Sequence, residues 1–176
     1  MKKVLIVLSV LIIILVSNTT TDDLIIPDES IRVRVIANSN SATDQAIKKI
    51  VRDEISKEIT VLLEDVTNIE DARQVIKDNI DAIDKTVKNV LLENNYNDKY
   101  AINYGYNLFP SKKYKGVVYK EGYYESVVVT LGNGDGNNWW CVLFPPLCLM
   151  ETNQDNLDEV EYKSFIKEII DKYFKN

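Results

Sequence analysis

No histidine occurs anywhere in the 176 residues. Its absence removes the commonest general base and the commonest metal ligand, so neither a Ser-His-Asp nor a Cys-His device can form within this polypeptide. Cysteine is nearly as scarce, with Cys141 and Cys148 alone, and two soft ligands without a histidine make a poor metal site. Basic charge is in deficit: 21 Lys and Arg face 27 Asp and Glu, a formal charge of -6. A phosphate surface needs a basic patch to displace its counterions, which argues against nucleic acid as a partner. The Asp-Thr-Gly and Asp-Ser-Gly turns of aspartic proteases are missing, and no Gly-Lys-Ser or Gly-Lys-Thr follows the glycine cluster, which excludes a phosphate cradle. What remains for catalysis is Ser-Lys pairs and paired carboxylates, none at a distinctive spacing. The expectation is a chain with no catalytic residue, no metal and no cofactor.

Present at the amino terminus is a positive Met1-Lys2-Lys3 followed by an apolar run over residues 4–16, interrupted only by Ser9. Such a run is short for a bilayer-spanning helix and fits the apolar stretch of an export signal. Residues 1–17 are therefore a signal peptide or an uncleaved anchor, and everything after them is expected outside the membrane, which the chain touches only through this segment. Residues 18–30 form a polar tether, 31–150 the folded domain, and 151–176 a linker with a terminal helix.

Within the domain, residues 31–36 alternate, with Ile31, Val33 and Val35 on one face and Arg32 and Arg34 on the other, as in a strand with one buried face. Ser41 and Asp44 then stand at capping-box spacing. Ile47, Val51, Ile55 and Ile59 continue as a helical stripe. A second helix is expected from Asn68 through Leu91, joined by a link short enough to make the two antiparallel. From Tyr100 the period becomes two, and strands are expected at 100–108, 117–120, 123–131 and 139–144, with Gly132, Gly134 and Gly136 in the last turn and Pro145-Pro146 as the stop. The fold class is α+β: two long antiparallel helices packed on a mostly antiparallel sheet, plus a C-terminal helix.

Three features carry the functional question. Arg32 and Arg34 lead through Asn38 and Ser39 to a helix amino terminus, where a small anion or a partner carboxylate could sit; the plainer alternative is helix capping by Ser41 and surface pairing of the arginines with Asp44 or Glu54. Alternation in the last strand sends Trp139, Cys141 and Leu143 to one side and Trp140, Val142 and Phe144 to the other. The second set is either covered by the terminal helix or presented outward as an aromatic patch for a partner. In the outward case, a charge at Trp140 or Phe144 leaves the fold intact and abolishes function. Cys141 and Cys148 are either two buried thiols or a disulfide that would hold an apolar knob including Pro145 and Pro146. Eight of the ten tyrosines lie between Tyr96 and Tyr124, where sheet packing explains them better than base stacking does.

Ile31-Arg32-Val33-Arg34-Val35-Ile36-Ala37-Asn38-Ser39, Asp44-Gln45-Ala46, Val51-Arg52-Asp53, Phe109-Pro110-Ser111-Lys112, the Gly132-x-Gly-x-Gly turn and above all Asn138-Trp139-Trp140-Cys141-Val142-Leu143-Phe144-Pro145-Pro146-Leu147-Cys148 resemble the stage II sporulation protein R (SpoIIR) family, over about residues 31–150. The resemblance implies a signalling protein and not an enzyme. It would be made in the forespore, exported into the intermembrane space and sensed by a membrane-bound aspartic protease of the SpoIIGA type, which then processes pro-sigma-E in the mother cell. Trp139, Trp140, Phe144, Pro145, Pro146, Arg32, Arg34, Asn38 and Ser39 are carried over from its motifs as contact or structural positions, the candidates for partner binding. The competing classes are an envelope hydrolase using carboxylates and a structural envelope protein.

Overall fold

The computed structural model describes residues 24–148 and 158–174. The segment expected to be a signal peptide or anchor, most of the linker before the terminal helix and the last two residues fall outside them. Among the described residues no helix is long and apolar enough to cross a membrane.

The elements are β1 (Leu24–Ile25), β2 (Ile31–Ile36), α1 (Ala42–Leu62), α2 (Ile69–Asp78), α3 (Ile80–Glu93), β3 (Tyr100–Phe109), β4 (Lys112–Tyr114), β5 (Val117–Tyr119), β6 (Gly122–Leu131), β7 (Asn138–Phe144) and α4 (Glu159–Phe174). The α+β class expected from the pattern is the one observed. A four-stranded sheet runs in the order β3-β6-β2-β7, and a three-stranded sheet in the order β1-β5-β4. β2 is central: it lies parallel to β6, with Val33 opposite Val127, and antiparallel to β7, with Val33 opposite Cys141. Valine-rich β6 has a nearly continuous buried run, as a strand covered on both faces should.

Each face of the large sheet carries its own core. On one side Val33, Val35, Val127, Val129, Cys141 and Leu143 pack with the helical stripe of Ile47, Val51, Ile55 and Ile59 from α1 and with Ile83 and Val87 from α3. On the other, Phe109, Tyr124, Trp140 and Val142 pack under Val117 and Tyr119 of the small sheet and under Tyr162, Ile166 and Ile169 of α4. Since the chain folds back over both faces, apolar residues on either side of β7 are buried.

Three expectations change. The second predicted helix is two, because Asn79 leaves helical geometry at φ -111°, ψ 8° and its side-chain amide donates to the Val75 carbonyl at 2.8 Å, ending α2 just before Ile80 opens α3. The stretch read as a polar tether is partly built into the fold: Leu24 and Ile25 pair in parallel with Val117 and Val118, and Ile26 is buried. Phe144 leaves the side of Trp140 and Val142. The ladder shifts register between Ile31 and Arg32, so Leu143 is an extra residue and Phe144 packs opposite Ile31 in the helix-side core, with the Tyr173 ring 5.2 Å away.

Candidate functional site

The β2–α1 turn meets the β6–β7 turn, and backbone donors on one side satisfy acceptors on the other. Asp135 N–H donates to the Asn38 carbonyl at 3.1 Å and Gly136 N–H to the Ala37 carbonyl at 2.9 Å. The Asn38 side-chain oxygen accepts from Asn133 N–H at 3.0 Å, and the Asn40 side-chain oxygen from Asn137 N–H at 2.7 Å. Gln45 donates to the Ser39 carbonyl and Lys48 to the Asn137 carbonyl. Ser41 caps α1 by accepting from Asp44 N–H at 3.1 Å, as its spacing predicts, while Ser39 donates to the Asp44 carboxylate. Asn38 and Ser39 thus close a seam between two turns, and none of these contacts involves Arg32 or Arg34.

The arginines lie on the opposite face of β2. Arg34 donates to the Leu108 carbonyl at 3.2 Å, not to Asp44 or Glu54. Arg32 is fully buried, its guanidinium carbon 3.3 Å from the Tyr124 ring centroid, 5.2 Å from that of Trp140 and 5.3 Å from that of Phe109. Its three side-chain nitrogens make no hydrogen bond, so ring faces and not acceptors surround the charge. Burial lowers its pKa from the ordinary arginine value, with Tyr124, Tyr119 and Asp28 acting the other way. The two arginines do not form a fork at the helix terminus. Alternation predicted their common side but not the cage, because Phe109 and Tyr124 reach it from other strands.

Strand β7 ends in a closed loop. Cys141 and Cys148 form a disulfide with their Cα atoms 5.5 Å apart, and Leu147 N–H returns to the Val142 carbonyl at 3.2 Å. Of the aromatic and proline residues singled out from sequence, Trp140, Phe144 and Pro145 are buried, while Trp139 and Pro146 are partly exposed. Trp139 packs on the helix-side core with the Arg52 guanidinium 5.6 Å over its ring. An outward aromatic patch at Trp140 and Phe144 is therefore absent, because the small sheet and α4 cover the first and the register shift turns the second toward Ile31. What faces outward instead is a cavity of about 320 Å³ lined by Ile59, Val61, Leu63, Leu143, Pro146 and Cys148, among others. Val61 on its rim is 66% exposed. Sequence reasoning missed Val61 because α1 carries it off the main stripe. Among the described residues no group of three or more His, Cys, Asp or Glu could hold a metal.

Taken together, fold and site define a small disulfide-braced α+β domain with an apolar groove beside its covalent loop. Residues 27–154 match the family described as stage II sporulation protein R. The chain is also 41% identical over 154 residues to the stage II sporulation protein R of Bacillus subtilis (strain 168), an alignment spanning 87% of this chain and 69% of that protein. It belongs to the stage II sporulation protein R family. No solved structure matches it.

Proposed function

We propose that the protein is an exported signal of sporulation that activates a membrane-bound aspartic protease by direct contact, and that the protease then processes the precursor of a mother-cell sigma factor. Family membership supports the sporulation role. The observation that carries the contact reading is the closed Cys141–Cys148 loop, which lies within the family-matched span and sets Pro146 and Leu143 in one wall of an apolar groove that Ile59 of α1 and Leu63, just after that helix, also line. A covalently braced apolar surface is pre-organised, so little ordering entropy is lost when a partner segment docks. A disulfide also suits a compartment outside the cytosol, in keeping with the positive and apolar amino terminus. The acidic balance directs the surface toward a protein partner and away from anionic lipid.

The test is reconstitution: co-express the exported chain, the protease and the sigma-factor precursor in a host without other sporulation proteins. Cleavage that requires all three supports activation. Cleavage by the protease alone, or none with all three present, ends the proposal.

A further inference from the structure

The segment between β1 and β2 lies across from α2 and the start of β6, and a cavity of about 320 Å³ opens between them. Its wall carries four carboxylates, from Asp28, Glu29, Glu70 and Glu125, against the single guanidinium of Arg73. Arg73 is already engaged: its Nε sits 2.9 Å from both carboxylate oxygens of Glu125, and another of its nitrogens pairs with Glu70. Glu125 is buried and also accepts a hydrogen bond from the Tyr104 hydroxyl. The acids that Arg73 leaves over are Glu29 and Asp28, the latter accepting a long 3.4 Å bond from the Tyr124 hydroxyl. Even with the neighbouring Arg32 counted against them, negative charge is in excess here.

A second observation is independent of that charge. Ser30 also lines the cavity; it is 2% exposed, and its hydroxyl has no hydrogen-bond partner. A buried hydroxyl without a partner costs free energy that a donor arriving from a ligand would recover. Tyr106, 71% exposed at the edge, offers a ring face of the kind that attracts cations. The acids do not converge on a point, since no group of three or more of them could hold a metal, whereas a divalent ion needs six or more oxygens around one centre. They surround a space near the lower end of small-ligand pocket volumes.

We propose that this cavity binds an organic cation bearing N–H donors, an alkylammonium or a guanidinium, which donates to the Ser30 hydroxyl and to the Asp28 and Glu29 carboxylates beside the Tyr106 ring. The site is separate from the groove at the disulfide loop.

The experiment titrates the full-length protein, held in an uncharged detergent, with Nα-acetyl-arginine amide, Nα-acetyl-lysine amide and spermidine, following amide shifts of residues 28–30 by NMR. Saturable binding is expected, weakened about tenfold by Ser30→Ala and by Glu29→Gln, the scale for losing one charge-assisted hydrogen bond, and unchanged by the remote Glu93→Gln. Circular dichroism verifies that each variant is folded. Saturation by the amino-acid amides alone assigns the site to a side chain of a protein partner, and saturation by spermidine alone to a free polyamine; either supports the proposal. Absence of saturable binding, equal displacement by calcium chloride, or a Glu93→Gln effect as large as that of Glu29→Gln overturns it.

Discussion

The Asn38 side chain occupies the space that a side chain at Gly132 would need: a Cβ there would lie 2.1 Å from Asn38 Oδ1 and 2.4 Å from its Cγ. Gly132 also holds φ at +58°, the left-handed region that disfavours residues with a Cβ. Asn38 cannot swing away without releasing Asn133 N–H and Asp98, so the clash has no inexpensive relief.

Gly132→Ala is accordingly expected to lower stability by about 2 kcal/mol or more, combining positive-φ strain with loss of the seam's hydrogen bonds. Gly105→Ala is the control, since a Cβ there meets only Asn103 Oδ1 at an ordinary 3.5 Å. Urea unfolding of both variants checks the contrast. Equal midpoints would show that the two turns separate freely.

Trp140→Glu and Phe144→Glu are expected to unfold the domain, at a cost of about 4 kcal/mol or more each, because an unpaired carboxylate would enter a closed core. This reverses the expectation that these positions tolerate charge. Val61→Arg and Pro146→Glu, at the groove, should leave the melting temperature within a few degrees of the parent yet abolish precursor processing in the reconstituted system. Normal processing by both folded variants would remove the groove from the contact.

Arg32 sets two effects against each other. Burying a charge without hydrogen bonds costs several kcal/mol, whereas a desolvated cation–π contact contributes about 2 kcal/mol, and of the three rings only that of Tyr124 is close, at 3.3 Å, with Trp140 and Phe109 at 5.2 and 5.3 Å. Burial therefore outweighs the ring contacts, and Arg32→Met, which keeps the volume and removes the charge, is expected to raise the thermal midpoint, while Arg32→Ala lowers it by leaving a cavity. Calorimetry on the two variants decides; a lower midpoint for Arg32→Met would mean that the rings of Tyr124, Trp140 and Phe109 offset the whole burial cost.

High pH should weaken the fold. Burial, reinforced by the charges of Asp98 and Asp44, pushes the Tyr96 phenol up to about 12, and burial with a hydrogen bond to Glu125 raises Tyr104 as well. Because the folded-state value lies above the unfolded value near 10, the contribution from Tyr96 is fully present below about pH 10 and is lost as pH rises toward 12. Urea midpoints should fall across that interval, and ultraviolet titration should show late-ionising phenols that become ordinary in urea. Tyr96→Phe should flatten the decline.

Much of the large sheet was legible because its cues are local: the alternation of β2, the Ser41 cap and the double proline after β7 each act within a few residues. The break at Asn79 was not, since Ile76, Ile80 and Ile83 continue an unbroken stripe without proline or glycine, and one side-chain bond to Val75 decides the matter. Nor was the covering of Trp140 legible. It depends on Leu24 and Ile25 pairing with residues 117 and 118 and on α4 lying over the same face, contacts that local pattern cannot encode. The orphaned Ser30 hydroxyl and the groove at Val61 arise from the same tertiary placement. Within the segment singled out from sequence, Trp139 and Pro146 keep some exposure, whereas Trp140 and Phe144 do not.

Strand β2 sits at the middle of the large sheet although it is nearly the first element made, and its hydrogen-bonding neighbours are residues 126–130 and 138–144. A nascent chain thus holds a central strand with both edges open until its final third is available, and closing such distant pairs is slow. Until residues 126–144 are made, Val33 and Val35 have no strand beside them, and the large sheet closes around β2 only when the chain is nearly whole.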